Sequence, residues 1–191
     1  MTALASATPM TTIVERTLST ASPFAARELL GFLAARAVPG VEAVIDDTYA
    51  RTLMLPGGPA VLIGVLGRQH VRATVLAADA ADAEPALEIM RRILDLDADP
   101  APIDARLRGD GLLRPLIDAR PGLRSPGAAG GHELLVRAIT GQQVSVAGAR
   151  TTLGRMARTH GTALPADVAG AARGHAGEGL AWVFPQAQQL A

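Results

Sequence analysis

The sequence predicts an α+β fold in which an antiparallel sheet with packed helices is followed by an all-helical region. Three stretches with strand character follow one another within residues 49–77, and stretches with helical periodicity flank them at residues 24–37 and 85–94. After Pro100 no strand pattern recurs. We therefore expect the sheet to lie entirely in the first half of the chain, in a small α+β domain that is followed by an all-helical one.

The first 37 residues divide into two parts. Residues 1–22 are rich in Thr, Ala, Ser and Pro and show little periodicity, so we expect a leader or linker there. A helix follows, because apolar side chains recur at helical spacing from Leu29 to Ala37, and Phe32 belongs to this set. Pro39 and Gly40 predict its end.

The predicted sheet is built from three consecutive strands. They are "YARTLML", "AVLIGVL" and "HVRATVLA", residues 49–55, 60–66 and 70–77. The segment "PGGP" predicts a hairpin between the first two, and Val71, Ala73 and Val75 alternate onto one face of the third. In the helix that follows, Leu87, Met90 and Leu94 form one apolar stripe, which predicts that this helix covers the sheet.

The second half is predicted to be helical, with breaks at glycine. Residues 102–118 indicate short helices, and "RPGLRSPGAAGG" is typical of a loop. In "GHELLVRAITGQQVSVAGART", residues 131–151, Leu135 and Ile139 share a helical face, and Gly141 suits a left-handed helix end. Ser145 can cap the next helix. The buried stripe expected in that helix is Val146, Ala149, Leu153 and Met156.

Gln142 and Gln143 are thereby placed in a turn between two helices. One explanation of this pair is structural: the two amides satisfy the free carbonyl groups at the end of the first helix. The other is functional: the amides project from the turn toward a partner. The residue pattern alone leaves both explanations open.

Composition excludes several kinds of chemistry. The chain has no cysteine, and all 18 of its basic residues are arginine, so disulfides, thiolate metal sites, a lysine Schiff base and a P-loop lysine are impossible. The four histidines show no metal-ligand spacing. Apolar runs are too short to span a membrane, and the N-terminus lacks the order of a signal peptide, so we expect a cytoplasmic protein.

The net charge of zero hides a local excess of arginine. Residues 120–160 contain six arginines and a single acid, Glu133. Such an excess can attract phosphate groups, but charge alone favours the other explanation, a solvated helix face.

The aspartates of "DLDADP" partly match the pattern of a calcium loop. Asp95, Asp97 and Asp99 have the alternate spacing of such a loop. However, Pro100 stands where the sharp turn needs glycine, and Arg106 stands where a bidentate glutamate is needed. We therefore expect no metal site there and interpret the segment as an acidic helix-to-loop transition.

The stretch "ELLVRAITGQQVSVAGART" resembles the "RAILGQ.VSVA" signature of the AlkA-type DNA-3-methyladenine glycosylases II, in the helix-hairpin-helix glycosylase superfamily. Three further segments resemble this family in the same order: "LLGFLAARAVPGVE", "ILDLDADPAPID" and "ARPGLRSPG". The resemblance covers residues 21–191. It implies a TATA-binding-protein-like antiparallel sheet with helices over residues 23–105, then a helical glycosylase domain over residues 106–191.

The resemblance also assigns roles to individual residues. Family members flip a damaged nucleotide out of the duplex and insert a residue into the gap, and the matching position here is Gln143. Gln142 matches a residue beside the base pocket. Phe32 matches a pocket aromatic, whose face suits an electron-poor alkylated base.

The sequence departs from the family at several positions. Gly130 and His132 replace an aspartate and a phenylalanine before the signature, so the first helix of the pair is expected to lack a capping side chain. His132 is expected at the surface rather than in catalysis. The family's helix-hairpin-helix motif and its catalytic aspartate match nothing before Ala191, so we expect an incomplete glycosylase domain and no release of 3-methyladenine by this polypeptide alone.

The implied activity is base-excision repair: hydrolysis of the N-glycosidic bond of an alkylated purine in double-stranded DNA, without a soluble cofactor or metal, by a monomer. A cationic alkylated base leaves readily, so the protein need only stabilise the sugar cation or orient water. Two alternatives stay open. One is a catalytically incomplete DNA-binding module of an alkylation-response protein, and the other is a small-molecule or protein-binding module with no role on DNA.

Overall fold

A computed structural model of the protein describes residues 11–191. The strands are β1 (Thr12–Ser19), β2 (Glu42–Ile45), β3 (Thr48–Leu55), β4 (Gly58–Leu66), β5 (His70–Ala77), β6 (Thr162–Ala163) and β7 (Trp182–Val183). The helices are α1 (Ala26–Arg36), α2 (Ala83–Leu94), α3 (Pro100–Leu107), α4 (Arg114–Ala119), α5 (Gly131–Thr140), α6 (Val146–His160) and α7 (Ala166–Ala176).

Five strands form one antiparallel sheet in the order β1-β5-β4-β3-β2. Strands β2 to β5 follow one another as hairpins, and the turn between β3 and β4 is the two-residue Pro56–Gly57 connection, since Leu55 pairs with Gly58. This arrangement confirms the predicted antiparallel α+β fold. The three strands predicted from the sequence are the middle of this sheet.

One face of the sheet packs against α1 and α2. Leu62 and Val75 of the sheet lie in the same core as Leu33 of α1 and Met90 of α2. Met90 can approach closely because β4 has a glycine below it: a Cβ at Gly64 would lie 2.8 Å from the terminal methyl carbon of Met90. The predicted α2 stripe of Leu87, Met90 and Leu94 is buried as expected.

The opposite face of the sheet is covered by a segment from the other end of the chain. Val61 and Ile63 pack with Val168 and Ala172 of α7 and with Val183 of β7. The backbone carbonyl of Trp182 accepts a hydrogen bond of 2.7 Å from the Thr52 hydroxyl of β3. Residues beyond 160 therefore return to the sheet and close its second face.

The expectation of a leader or linker over residues 1–22 is wrong for residues 12–19. These residues form β1, which pairs along its whole length with β5. Val14 and Leu18 face the core, but Arg16 occupies the position between them on the same side of the strand. The apolar alternation is therefore interrupted, and the sequence pattern does not indicate a strand here. Residues 1–10 lie outside the described part of the chain.

The three aspartates tested as a calcium loop have separate structural roles. Asp95 ends α2 in the left-handed conformation, with φ +53°, and accepts a hydrogen bond from the Ser125 N–H. Asp97 pairs with Arg91 at 2.6 Å. Asp99 caps α3 by accepting from the Ala101 N–H at 3.0 Å. Each carboxylate is explained by a helix end or a loop contact.

The second half has two features that the sequence pattern does not indicate. Strands β6 and β7 pair antiparallel over two residues each, although no strand was expected after Pro100. In α5, Leu134, Leu135 and Ile139 are 54%, 59% and 63% exposed. The side of α5 that faces the protein carries Glu133 and Arg137 instead.

Candidate nucleic-acid interface

The turn between α5 and α6 places a glutamine, not a glycine, in the left-handed conformation. Gly141 has φ −77° and continues the right-handed path of α5, contrary to the expectation that it would end the helix in the left-handed region. The positive angle falls at Gln143, with φ +59°. A side chain at such a position costs about 1 kcal/mol of backbone strain, which makes Gln143 the strained residue of this turn.

The side chains of Gln142 and Gln143 are both exposed. Within residues 11–191, neither side-chain amide makes a hydrogen bond, whereas the backbone N–H of Gln142 donates to the Ile139 carbonyl at 3.1 Å. The explanation in which these amides cap the end of α5 therefore has no support in the geometry. Their role in a DNA interface remains a prediction.

The start of α6 is fixed by Ser145. Its hydroxyl oxygen accepts a hydrogen bond of 3.1 Å from the Gly148 N–H, as the sequence predicts for an N-cap. The predicted stripe is only partly correct. Leu153 is buried and Met156 packs against its cluster, but Val146 is 49% exposed, and the fully buried member of the helix is Ala157.

A cavity of about 210 Å³ lies between the end of α1, the end of α5 and the start of α6. Arg36 supplies one side, Gly141 and Val144 supply another, and Leu153 lies on the side of α6. The side chains of Gln142 and Phe32 do not line this cavity. Gln142 follows the lining residue Gly141, and Phe32 lies one helical turn before the lining residue Arg36. None of the predicted residues Phe32, Gln142 and Gln143 therefore lines this cavity.

Phe32 is half-exposed, at 41%, on the outer side of α1. The guanidinium carbon of Arg36 lies 3.8 Å from the centre of the Phe32 ring, one helical turn away. This distance is within the range of a cation–π contact. The face of Phe32 therefore already attracts a cation in the protein.

Beneath this region lies a buried charge cluster made of Glu42, Arg51, Glu133 and Arg137. Arg51 on β3 donates to Glu133 on α5 at 2.7 Å, and Arg137 on α5 donates to Glu42 on β2 at 2.6 Å. Arg137 also donates to Glu133 at 2.8 Å through Nε. Two carboxylates and two guanidiniums balance, so α5 is attached to the sheet by a neutral set of ion pairs.

Further contacts complete the bonding of Glu42. Its Oε1 accepts from the Tyr49 hydroxyl at 2.7 Å, and its Oε2 accepts from the Val38 N–H at 2.9 Å. Burial acts to raise the pKa of Glu42, but the charges of Arg51 and Arg137 outweigh it and hold the pKa below its ordinary value. Burial and the neighbouring Glu42 carboxylate raise the pKa of Tyr49. Glu42 is therefore ionised and Tyr49 is neutral at pH 7.

The sequence pattern does not indicate this cluster. Its members are separated by up to 95 residues, and isolated charged residues on strands and helices are ordinarily solvated. Glu133 and Arg137 are spaced i, i+4, the spacing of a helical ion pair, and they lie opposite the apolar face of α5. That arrangement was the one available signal that the charged side of α5 faces inward.

The arginine excess of residues 120–160 divides into two groups. Three arginines have structural partners. Arg124 donates to backbone carbonyls and to Thr20, Arg137 belongs to the buried charge cluster, and Arg150 donates to the Ala37 carbonyl at 2.9 Å. For Arg120, Arg155 and Arg158, no hydrogen bond or ion pair of the side chain is found with residues 11–191. These three are exposed and available to an anion.

His132 and Gly130 lie at the start of α5. Gly130 is its N-cap without a side-chain bond, as expected from the loss of the family's aspartate at that position. A ring nitrogen of His132, Nε2, lies 3.2 Å from the Pro185 carbonyl, so this histidine is partly buried and ties α5 to the C-terminal segment.

None of the helices within residues 11–191 is long and apolar enough to cross a membrane.

The architecture of the sheet, α7 and the α5–α6 pair is shared with a solved DNA glycosylase. A solved structure, described as a 3-methyladenine DNA-glycosylase from Archaeoglobus fulgidus, superimposes with a TM-score of 0.75. The match covers 92% of this chain and 57% of that one, at 16% sequence identity. The similarity therefore concerns architecture.

The family follows from sequence comparison. Residues 15–130 match the AlkA N-terminal domain, and the chain belongs to this family. It is 39% identical over 186 residues to a Mycobacterium tuberculosis protein named "Probable bifunctional transcriptional activator/DNA repair enzyme AlkA". It is 38% identical over 150 residues to the Escherichia coli "DNA-3-methyladenine glycosylase 2".

The matches cover this chain more completely than they cover the relatives. They include 97% and 78% of this chain but 36% and 51% of the M. tuberculosis and E. coli proteins. The chain thus spans about a third to a half of the length of the curated relatives it matches.

Proposed function

We propose that the chain supplies the lesion-binding part of a base-excision repair glycosylase, which hydrolyses the N-glycosidic bond of alkylated purines such as 3-methyladenine after base flipping. The names of the relatives support this class of reaction. The observation that carries the proposal for this chain is the geometry of Gln143. Its side chain projects from a left-handed turn without a bond to either helix, as a group that fills a vacated base stack must.

The surroundings of the turn fit the same proposal. The aromatic face of Phe32 is in contact with the Arg36 guanidinium. A positively charged alkylated base would compete with this guanidinium for the same face. Gln142 directly follows Gly141, which lines the cavity between α1, α5 and α6. We assign no catalytic role to Glu42 or Glu133, because each carboxylate is held by arginines in the buried charge cluster.

The proposal is tested by binding of the 191-residue chain to duplex DNA with and without one alkylated purine. Gln143→Ala is expected to weaken binding of the damaged duplex by roughly ten-fold, equivalent to about 1.4 kcal/mol of the few kcal/mol that unstacking costs. Arg158→Ala is expected to weaken it less, because a single exposed arginine supplies a screened phosphate contact. Fluorescence anisotropy measures both affinities.

Melting curves on the same variants distinguish the structural explanation. A Gln143→Ala protein with unchanged affinity for damaged DNA and a lower Tm would refute the insertion role. Base release is assayed in the same samples under single-turnover conditions, so that binding and bond cleavage are measured separately. Binding without salt dependence would favour the module that has no role on DNA.

A further inference from the structure

An open depression of about 490 Å³ lies on the outer side of α6, away from the residues assigned above. Its lining includes Arg155 and Arg158 of α6, Trp182 of β7, and the Pro39–Gly40 bend that follows α1. No carboxylate lines it. Between Leu134 and Ala166 the sequence has no acidic residue, and the nearby Glu42 is neutralised inside the buried charge cluster.

Two glycines shape this depression, which we call the Arg155–Arg158 pocket. A Cβ at Gly40 would lie 2.9 Å from Cδ1 of Trp182, and Gly40 has φ +85°, so a larger residue there would displace the indole. A Cβ at Gly154 would lie 3.2 Å from Cδ of Pro39. The absence of side chains at both positions lets α6, β7 and the bend meet closely, with the two arginines beside the half-buried indole.

The polar groups of the pocket are hydrogen-bond donors of one sign. Arg155 and Arg158 are three residues apart, so they lie on the same side of α6 one turn from each other. Both are exposed, and within residues 11–191 their side chains have no bonding partner. Two neighbouring guanidinium groups without a carboxylate favour an anion with several oxygen atoms, and phosphate fits their planar donor geometry.

The position of the pocket on α6 separates it from the α5–α6 turn. Arg155 is ten residues after the Ser145 cap, which corresponds to about 15 Å along the helix at roughly 1.5 Å per residue. At about 3.4 Å per base step, that distance equals about four to five base pairs of duplex. A phosphate bound in the pocket would therefore belong to DNA outside a lesion held at the α5–α6 turn.

We propose that the Arg155–Arg158 pocket binds the phosphate backbone of DNA flanking the lesion, independently of sequence and damage. This inference deepens the proposed function and rests on it for the choice of DNA as the phosphate source. Trp182 is the sole tryptophan of the chain, so its emission reports directly on occupancy of this pocket.

The test is titration of the 191-residue chain with undamaged duplex DNA, followed by Trp182 fluorescence and by anisotropy of labelled DNA. We expect saturable change of the Trp182 emission. In Arg155→Ala/Arg158→Ala, the slope of log K against log salt should fall by about 2, one for each lost phosphate contact. The control Arg68→Ala/Arg173→Ala removes the same charge from exposed sites outside the pocket and should leave the emission change intact.

Two further arms identify the ligand. A duplex with about ten base pairs on each side of the lesion should show the effect of the double variant, whereas one with about three base pairs on each side should not, because it ends before the pocket. A nucleoside monophosphate and inorganic phosphate are titrated separately. Saturation of Trp182 by either at concentrations where DNA gives no change would overturn the assignment to DNA.

The outcomes separate this proposal from the proposed function. If the wild type and all variants bind damaged and undamaged duplexes equally well while the Trp182 response is retained, only the lesion-binding role is refuted. DNA binding that leaves Trp182 emission unchanged, or a salt slope that is the same in wild type and the double variant, refutes the pocket alone.

Discussion

The sheet and helix α5 bury opposite kinds of side chain. In the sheet, Val61 and Leu62 are completely buried, and the charged residues of the outer strands mostly face solvent. In α5, the three large apolar residues Leu134, Leu135 and Ile139 are more than half exposed, while Glu133 is 9% exposed and paired with arginines. An apolar stripe therefore identifies a helix here but does not tell which side of the helix meets the rest of this chain.

The difference has an electrostatic cause. Strand β3 presents Arg51 on the face that α5 covers, and β2 presents Glu42 beside it. Glu42 and Arg51 are 3.6 Å apart, and burying such a pair under a helix is less costly when the helix supplies partners for their remaining donors and acceptors. Glu133 and Arg137 supply these partners, and the geometry of the helix then turns the apolar residues outward.

The strongest way to break this arrangement is to remove one member of the cluster. Arg51→Ala leaves Glu42 and Glu133 buried without one of their partners, so we expect a loss of about 3–5 kcal/mol in the free energy of unfolding. Urea unfolding followed by Trp182 fluorescence measures it. The control is Arg16→Ala, which removes an exposed contact with Glu84 at 3.9 Å. Equal effects of the two variants would contradict the buried role.

Truncating apolar residues tests the other half of the comparison. Leu62→Ala should lower the free energy of unfolding by about 2–5 kcal/mol, because it leaves a cavity in a closed core. Leu135→Ala should change it by less than about 0.5 kcal/mol, because that side chain is 59% exposed. A comparable loss in both variants would show that α5 buries its apolar side.

The cluster also predicts a dependence on acid. The folded pKa of Glu42 lies below its ordinary value of 4.5, so its contribution to stability is present above pH 4.5 and is lost as the pH falls through the folded pKa. Urea midpoints measured from pH 6 down to acid should fall less steeply in Glu42→Gln than in wild type. The exposed control Glu88→Gln should follow the wild-type curve, and a Glu42→Gln curve parallel to wild type would exclude this origin.

The smallest expected effect concerns the strained turn. Glycine adopts φ +59° without strain, so Gln143→Gly should be more stable than Gln143→Ala by about 1 kcal/mol. Thermal melting compares the two. A Tm for the alanine variant equal to that of the glycine variant would show that the turn relaxes when the side chain is removed.

The parts of the fold that follow from local pattern were predicted, and those that depend on distant partners were not. The middle strands, α2 and the Ser145 cap are set by periodicity and by one side-chain bond, so the sequence suffices for them. Strand β1 was missed because Arg16 interrupts its apolar side. The cluster of Glu42, Arg51, Glu133 and Arg137 joins β2 and β3 to α5, which is far from them in sequence. These side chains meet only in the folded protein, so no local pattern predicts the cluster.

The candidate site shows the same division. The turn at Gln142 and Gln143 was located from the sequence, but the left-handed residue was placed at Gly141 instead of Gln143, since glycine is the ordinary choice there. The roles of Phe32, Gln142 and Gln143 came from family resemblance and remain predictions. The Arg155–Arg158 pocket needed the packing of β7 against α6, which no local pattern indicates.

The return of α7 and β7 to the sheet has a consequence for synthesis of the chain on the ribosome. The last strand of the large sheet ends at Ala77, but the segment that covers Val61 and Ile63 is completed only at Val183, about a hundred residues later. At a translation rate of roughly 5–20 residues per second, the second face of the sheet stays uncovered for about 5–20 s. During that interval the nascent protein offers an apolar sheet surface to chaperones, and to neighbouring nascent chains.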